Sequence, residues 1–419
     1  MAVPRMNYPD YATVDLETSV SNIGADAIGD FPASPHHPGN QIVSAGWSNT
    51  VNYVGYYYTQ PDWAYRFGLY MNTFDLWVGQ NIKFDLLYMM RCVPNITEIL
   101  PYKKIWCTQL AEYLLTGQEV MYASLDFLSE QYGGELKDDK IKEYWDLGVR
   151  TEDIPEQELM EYMKGDVLNT EIVFKAQYKK AQELGMLPLI ESQMDALLAT
   201  TEMEYNGMCF NKGLALEYAM QVEARLQRPL ITVIDKLMKA LPHHEANPGS
   251  VDQISLYLFG GEYDITVKVP WLSEDGEKQY IKSGPNKGKL KVRNGTDIVL
   301  QPTKFIPDPK WRVKKEGFYA VDDFTLKQVK ARTSDESVVQ FIDALLEVRN
   351  YQKELSTYLY GFSDLAWPES KMEKRDAHWY TYMTTKYYIH GKIGHVGTTT
   401  GRLNSTGPNL MNLSGRDDE

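Results

Sequence analysis

Three cysteines, Cys92, Cys107 and Cys209, are all the chain has in 419 residues. Their odd number and wide spacing exclude a disulfide framework and a zinc ribbon, and buried free thiols are the expectation. No apolar run approaches the roughly 18 residues of a membrane helix, and the opening MAVPRMNYPDY lacks the apolar core of a secretion signal. A cytoplasmic protein with no membrane partner is therefore expected. Positive charge is also scarce. Lys and Arg number 43 against 57 Asp and Glu, for a formal net charge of -14, which is unfavourable for a surface that grips phosphates throughout its length. Hydrophobic content of 43% with 24% charged residues is that of a folded chain, long enough for two or more packed domains. The histidine pairs His36-His37 and His243-His244 lack the spacing of a metal site and read as surface residues.

What the chain does offer is four carboxylates delivered in order by three short segments: Asp15 and Glu17 in YATVDLETS, Asp85 in VGQNIKFDLLYM, and Asp166 in YMKGDVLNT. Asp15 and Glu17 stand two apart in a strand-like run, so both leave one face of a sheet. Asp85 follows the apolar strand end Leu76 to Val78 and opens a helical segment. Tyr162 and Asp166 stand four apart on a helix and share a face. Hydrolysis of a phosphodiester needs an activated water and relief of charge on the leaving oxygen, and two ions roughly 3.5 to 4 Å apart serve both ends of the displacement. Carboxylate oxygens suit two divalent cations, Mg2+ or Mn2+. A phenol beside them, Tyr162, can orient the water. Each piece taken singly also has a plainer reading, a solvated strand face or an ordinary helix surface; the order and spacing carry the argument.

VDLETS, VGQNIKFD and YMKGD resemble the three exonuclease motifs of the DEDDy proofreading exonucleases attached to family A DNA polymerases. The resemblance implies metal binding by Asp15, Glu17, Asp85 and Asp166, with Asp15 and Asp166 on the tighter ion, Glu17 sharing it and Asp85 on the second. It further implies water positioning by Tyr162, contacts from Thr18 and Asn81 to the terminal nucleotide, and an RNase H-like fold with a mixed sheet flanked by helices. Aromatic platforms for an unstacked 3′ end are expected nearby, with Phe84, Tyr88 and Tyr162 as candidates and helix core as the other reading of the first two.

The second half resembles the thumb and first palm segment of the same polymerases, through LPLIESQMDALLATTEMEYNGMCFN, NPGSVDQISLYLFG, LLEVRNYQKELSTYL and HGKIGHVGTTTGRLNSTGPNLMNL. Thr400, Gly401, Arg402, Leu403, Pro408, Asn409, Leu410 and Asn412 match the last motif, while Asn404 and Met411 replace its usual serine and glutamine. In the family this stretch follows the minor groove of primer-template duplex, and Arg349 and Lys353, one helical turn apart, suit backbone phosphates. The sequence stops at SGRDDE, where Asp417, Asp418 and Glu419 read as a solvated tail. The remaining palm and the fingers of the family do not follow, so the expectation is a split or truncated polymerase of phage type that does not polymerise by itself. A separate palm-and-fingers chain would complete it.

The expected architecture is α/β: an exonuclease domain at 1-184, then a mainly helical thumb and palm region at 185-419, with Gly185 at the boundary and a basic, β-rich insertion at 261-317. One helix is expected from Pro155 to Glu183, and two more from Leu187 to Glu204 and from Lys212 to Ala240. Between Asp264 and Lys315 stand twelve Lys or Arg against six Asp or Glu. Lys282, Lys287, Lys289, Lys291 and Arg293 fall in one glycine-containing turn that reads as a basic hairpin. A solvated loop is its plainer reading; a grip on duplex DNA or a seat for a processivity factor are the functional ones. The expected function is 3′-to-5′ removal of nucleotides from a single-stranded DNA end. The alternative is a noncatalytic DNA-binding or assembly subunit that completes a polymerase.

Overall fold

The computed structural model describes residues 8–25, 27–135, 140–368 and 386–412. The acidic tail at Asp417, Asp418 and Glu419 lies outside them. Two compact units result, Met1–Leu214 with Phe362–Glu419, and Ala215–Gly361.

The first unit is built on a five-stranded mixed sheet. Its strands are β1 (Tyr11–Thr18), β2 (Ile42–Asn49) and β3 (Asn52–Tyr57), then, after helix α1 (Trp63–Thr73), β4 (Leu76–Gly79). Helices α2 (Lys83–Cys92) and α3 (Ile96–Ile99) lead to β5 (Lys104–Cys107). The spatial order is β3-β2-β1-β4-β5; β1 runs parallel to β4 and β4 to β5, while β2 and β3 are antiparallel. Strands buried on both faces must be apolar throughout, and LWVG of β4 is buried at every position. Trp77, Val78, Phe67, Met71, Leu86 and Val14 meet in one core, each no more than slightly exposed.

Helices α4 (Thr108–Leu115), α5 (Leu125–Tyr132), α6 (Lys140–Asp146), α7 (Glu156–Glu183) and α8 (Leu187–Asn206) complete the body of the unit. The long helix α7 appears where the sequence reading placed it, with Pro155 immediately before its first turn. Gly185 links α7 to α8 with φ +67°, a conformation that glycine adopts without strain. Both helices belong to the first unit, and the change of unit comes at Leu214 and Ala215. There the short strand β6 (Met208–Phe210) gives way to helix α9 (Lys212–Ala240).

The second unit packs the later part of α9 with α10 (Val251–Phe259) around Val233, Leu237, Ile254 and Tyr257. Strands β7 (Gly261–Pro270) and β8 (Val292–Gln301) form a two-stranded antiparallel ribbon, so the inserted basic segment is a β-hairpin as expected. Lys282, Lys287 and Lys289 lie in its exposed far end. Helices α11 (Asp323–Arg332) and α12 (Glu336–Lys353) close the core, each with an aspartate cap: Asp322 accepts from Thr325 N–H, and Asp335 from Ser337 and Val338 N–H.

After Gly361 the chain returns to the first unit. Helix α13 (Tyr360–Asp364) precedes β9 (Ala366–Pro368), and β10 (Tyr387–Ile389) pairs with both β6 and β9. Strands β11 (Lys392–Gly394) and β12 (Asn404–Thr406) pair with each other. No helix of the described residues is long and apolar enough to cross a membrane. Two expectations need correction. Cys209 is exposed, not a buried thiol, because the three-residue strand that carries it is only half covered. His36 is half-buried and not a plain surface residue: its ring stacks on His390 at 3.6 Å between centroids and 16° between planes, and burial pushes its pKa down to about 2.

Candidate metal centre

Strand β1 presents Thr13, Asp15 and Glu17 on one face, and the antiparallel register sets Gly46 of β2 beside Asp15 and Gly55 of β3 beside Gly46. That row of two glycines leaves space over the sheet. Met160 and Met163 of α7 fill it: a Cβ on Gly46 would sit 3.0 Å from Met163 Cε, and one on Gly55 would sit 2.5 Å from Met160 Cε. Three residues beyond Met163, on the same helix face, stands Asp166. Oxygens of Asp15, Glu17 and Asp166 consequently lie within 4.8 Å of one another, with Asp15 half-buried and the other two buried.

Asp85 stands on the first turn of α2. It is 3% exposed, and the backbone of Leu16 in β1 lies close to its carboxylate. Burial first, and the charge of Asp15 second, push its pKa well above the usual carboxylate range. Three converging carboxylates, with a buried fourth that the charge of Asp15 acts on, are costly unless cations compensate them. Their donor set is hard oxygen only, which fits magnesium or manganese.

The helix α7 is bolted to the sheet by buried polar contacts further along. Glu171 accepts from Tyr11 Oη at 2.9 Å, Ser48 Oγ at 2.7 Å and Thr50 N–H at 2.7 Å. Gln177 donates to Thr108 O at 2.9 Å and to Glu112 at 3.0 Å. These contacts set the height of Asp166 and Tyr162 above β1.

Tyr162 stands one turn before Asp166, edge-on to Trp145 with centroids 5.9 Å apart. Thr18 follows a register shift at Glu17 and is buried, near the Tyr88 phenol. Asn81 is exposed in the turn before α2 at φ +50°, a left-handed conformation that asparagine tolerates. Phe84 packs on Phe31 and Tyr88, while Tyr88 is fully buried and donates to Ala33 O at 2.9 Å, so it is helix core. In the second unit, Arg349 donates to Asp323 at 2.9 Å and to Val321 O at 2.8 Å, and Lys353 is exposed. Thr400, Arg402 and Asn409 are exposed.

The sequence reading passed over Tyr53. Its hydroxyl is buried without a hydrogen-bond partner among the described residues, and burial followed by the charge of Asp15 pushes its pKa up to about 12. It therefore stays a neutral donor beside the acidic cluster. Gly46 and Gly55 were passed over too, since isolated glycines in strands read only as weak points; the signal that marks them is their shared register with Asp15.

Residues 58–180 match the family model for the 3'-5' exonuclease of family A DNA polymerases. That stretch holds Asp85, Tyr162 and Asp166 and leaves out Asp15 and Glu17, which the folded sheet brings to them. Among solved structures, the POL domain of Pol1 from M. smegmatis, in complex with DNA primer-template and dNTP, matches with a TM-score of 0.55 at 13% identity. The match covers 90% of this chain and 50% of that one, so the likeness is one of fold and the chain spans half of that structure's length. No match was found among curated proteins.

Proposed function

We propose that the chain is a metal-dependent 3′-to-5′ DNA exonuclease and serves as the proofreading part of a family A DNA polymerase. The observation that carries this is the convergence of Asp15, Glu17 and Asp166 oxygens within 4.8 Å, with Asp85 close enough for Asp15 to raise its pKa. Two Mg2+ or Mn2+ ions, when bound, would activate water and offset charge on the leaving oxygen. Asp15, Glu17 and Asp166 would hold one and Asp85 would share the second. Tyr162, on the face of α7 that carries Asp166, orients the attacking water. Thr18 and Asn81 are proposed to contact the terminal nucleotide.

DNA is the proposed partner, as a single-stranded 3′ end at this site and as primer-template duplex along Thr400, Arg402 and Asn409 and along Lys353. Arg349 would have to leave Asp323 to reach a phosphate. The 261-317 hairpin is proposed to grip duplex. The deciding experiment incubates the purified chain with an end-labelled single strand, with magnesium and then with chelator. Stepwise, metal-dependent shortening that the double substitution Asp15→Ala, Glu17→Ala abolishes is the expected result. Tight binding with the label retained in every condition would overturn it in favour of a noncatalytic DNA-binding subunit.

A further inference from the structure

The first turn of α2 is poorly secured by its own sequence. No side chain caps it, and the residue before its N-cap, Asn81, is held at positive φ. Yet it carries Asp85, whose position decides whether a second cation finds a ligand. Lys83 stands two residues earlier, about 200° around the helix, so it points away from Asp85. It is buried, and Nζ donates to Thr200 Oγ1 at 2.9 Å, Glu204 Oε1 at 2.7 Å and Ile393 O at 2.8 Å. The same Glu204 oxygen accepts from Ile393 N–H at 2.6 Å. His395 Nε2 closes the cluster, 2.8 Å from Thr200 Oγ1, as a neutral ring whose pKa burial and then the Lys83 charge hold at about 4.

All three ammonium protons of Lys83 therefore have partners. A buried ion pair costs desolvation of both charges and is weak as a source of stability, but it defines position sharply when every donor is satisfied. On one side of the turn Asp85 lies buried near the backbone of Leu16 in β1; on the other Lys83 is hydrogen-bonded to α8 and β11. We propose that the Lys83–Glu204 pair is a positioning device for the second metal ion, setting Asp85 through the first turn of α2 and tying it to the strand at Ile393. This deepens the exonuclease reading and rests on it. Lys83 touches neither substrate nor metal; it acts through Asp85.

The test measures Mn2+ binding to the full chain by electron paramagnetic resonance and calorimetry, next to end-shortening rates. Lys83→Met should weaken the second ion by about 10- to 100-fold, the range for residues that support a metal ligand, and leave the first ion unchanged. The pair Lys83→Met, Glu204→Met removes both charges and so relieves the unpaired carboxylate. If it melts like the unsubstituted chain yet still binds the second ion weakly, position and not stability is what the pair supplies. Restored binding along with restored melting would overturn the proposal. Thr200→Val removes the hydroxyl's bonds to Lys83, His395 and Leu197 O but leaves the pair, covering the case in which both other variants fail to fold: second-ion affinity lowered by severalfold supports the device, and unchanged affinity overturns it. An unsubstituted chain that binds no Mn2+ would instead refute the exonuclease reading itself.

Discussion

Glu171 tests how the acidic site is held together. It lies on α7 five residues after Asp166, about 7.5 Å along the axis, and its side chain is 7% exposed. Replacing it with alanine takes the acceptor from two buried hydroxyls, Tyr11 Oη and Ser48 Oγ, and from the partly buried Thr50 N–H, while Tyr11 keeps its contact with Thr50 Oγ1. At roughly 1 to 2 kcal/mol for each of the two buried donors, the loss is about 2 to 4 kcal/mol. Lys175 also pairs with it at 2.7 Å, but that side chain is nearly one-third exposed and adds little. In a unit of this size 1 kcal/mol moves a melting point by about 2 to 4 °C, so calorimetry should record a fall of about 10 °C. Burial alone would raise the Glu171 pKa, yet hydrogen bonds from Lys175 and Ser48 outweigh it and the pKa is lowered. Its stabilisation is thus complete above the unfolded value of 4.5 and lost as pH falls through the folded one. The gap between native chain and variant should stay constant from about pH 8 to pH 5 and narrow in more acid solution. A gap under about 1 kcal/mol, or one that widens in acid, would refute the account of how α7 is anchored.

Asp85→Asn should abolish end shortening and, in chelator, raise the melting temperature, because it removes a buried charge that Asp15 repels; a lower melting temperature in chelator would contradict this. Gly55→Val should cost about 1 to 3 kcal/mol by overpacking, since its Cβ would meet Met160 Cε at 2.5 Å and Tyr53 Oη at 2.8 Å. Cleavage should fall further than single-strand binding as α7 is displaced, and equal losses would argue against a positional effect. Changing Lys287, Lys289 and Lys291 to glutamate should reduce the salt slope of duplex binding by about 2 to 3; an unchanged slope would assign the hairpin to a partner other than DNA.

Much of the local structure was legible. Strand β1 and helix α7 announce themselves by apolar periodicity and by Pro155 and Gly185, and the basic hairpin by its alternating flanks and charged turn. The position of the change of unit was less so, because α9 runs through Leu214 and Ala215 without any composition break. Burial of single side chains was least legible. His36 and Cys209 were misjudged because a neighbour far along the chain, or the lack of one, decides their exposure.

By itself the sequence determined which chemistry was on offer: hard oxygen ligands in three segments, each with a period that aims its carboxylate to one side. Only tertiary structure decided that these segments meet. Two glycines in register with Asp15 admit α7, and the Glu171 contacts hold it there. Lys83 fastens the turn that carries Asp85 to a strand 310 residues away. Such contacts join positions whose separation along the chain carries no periodic signal, so no reading of neighbours in sequence can reveal them.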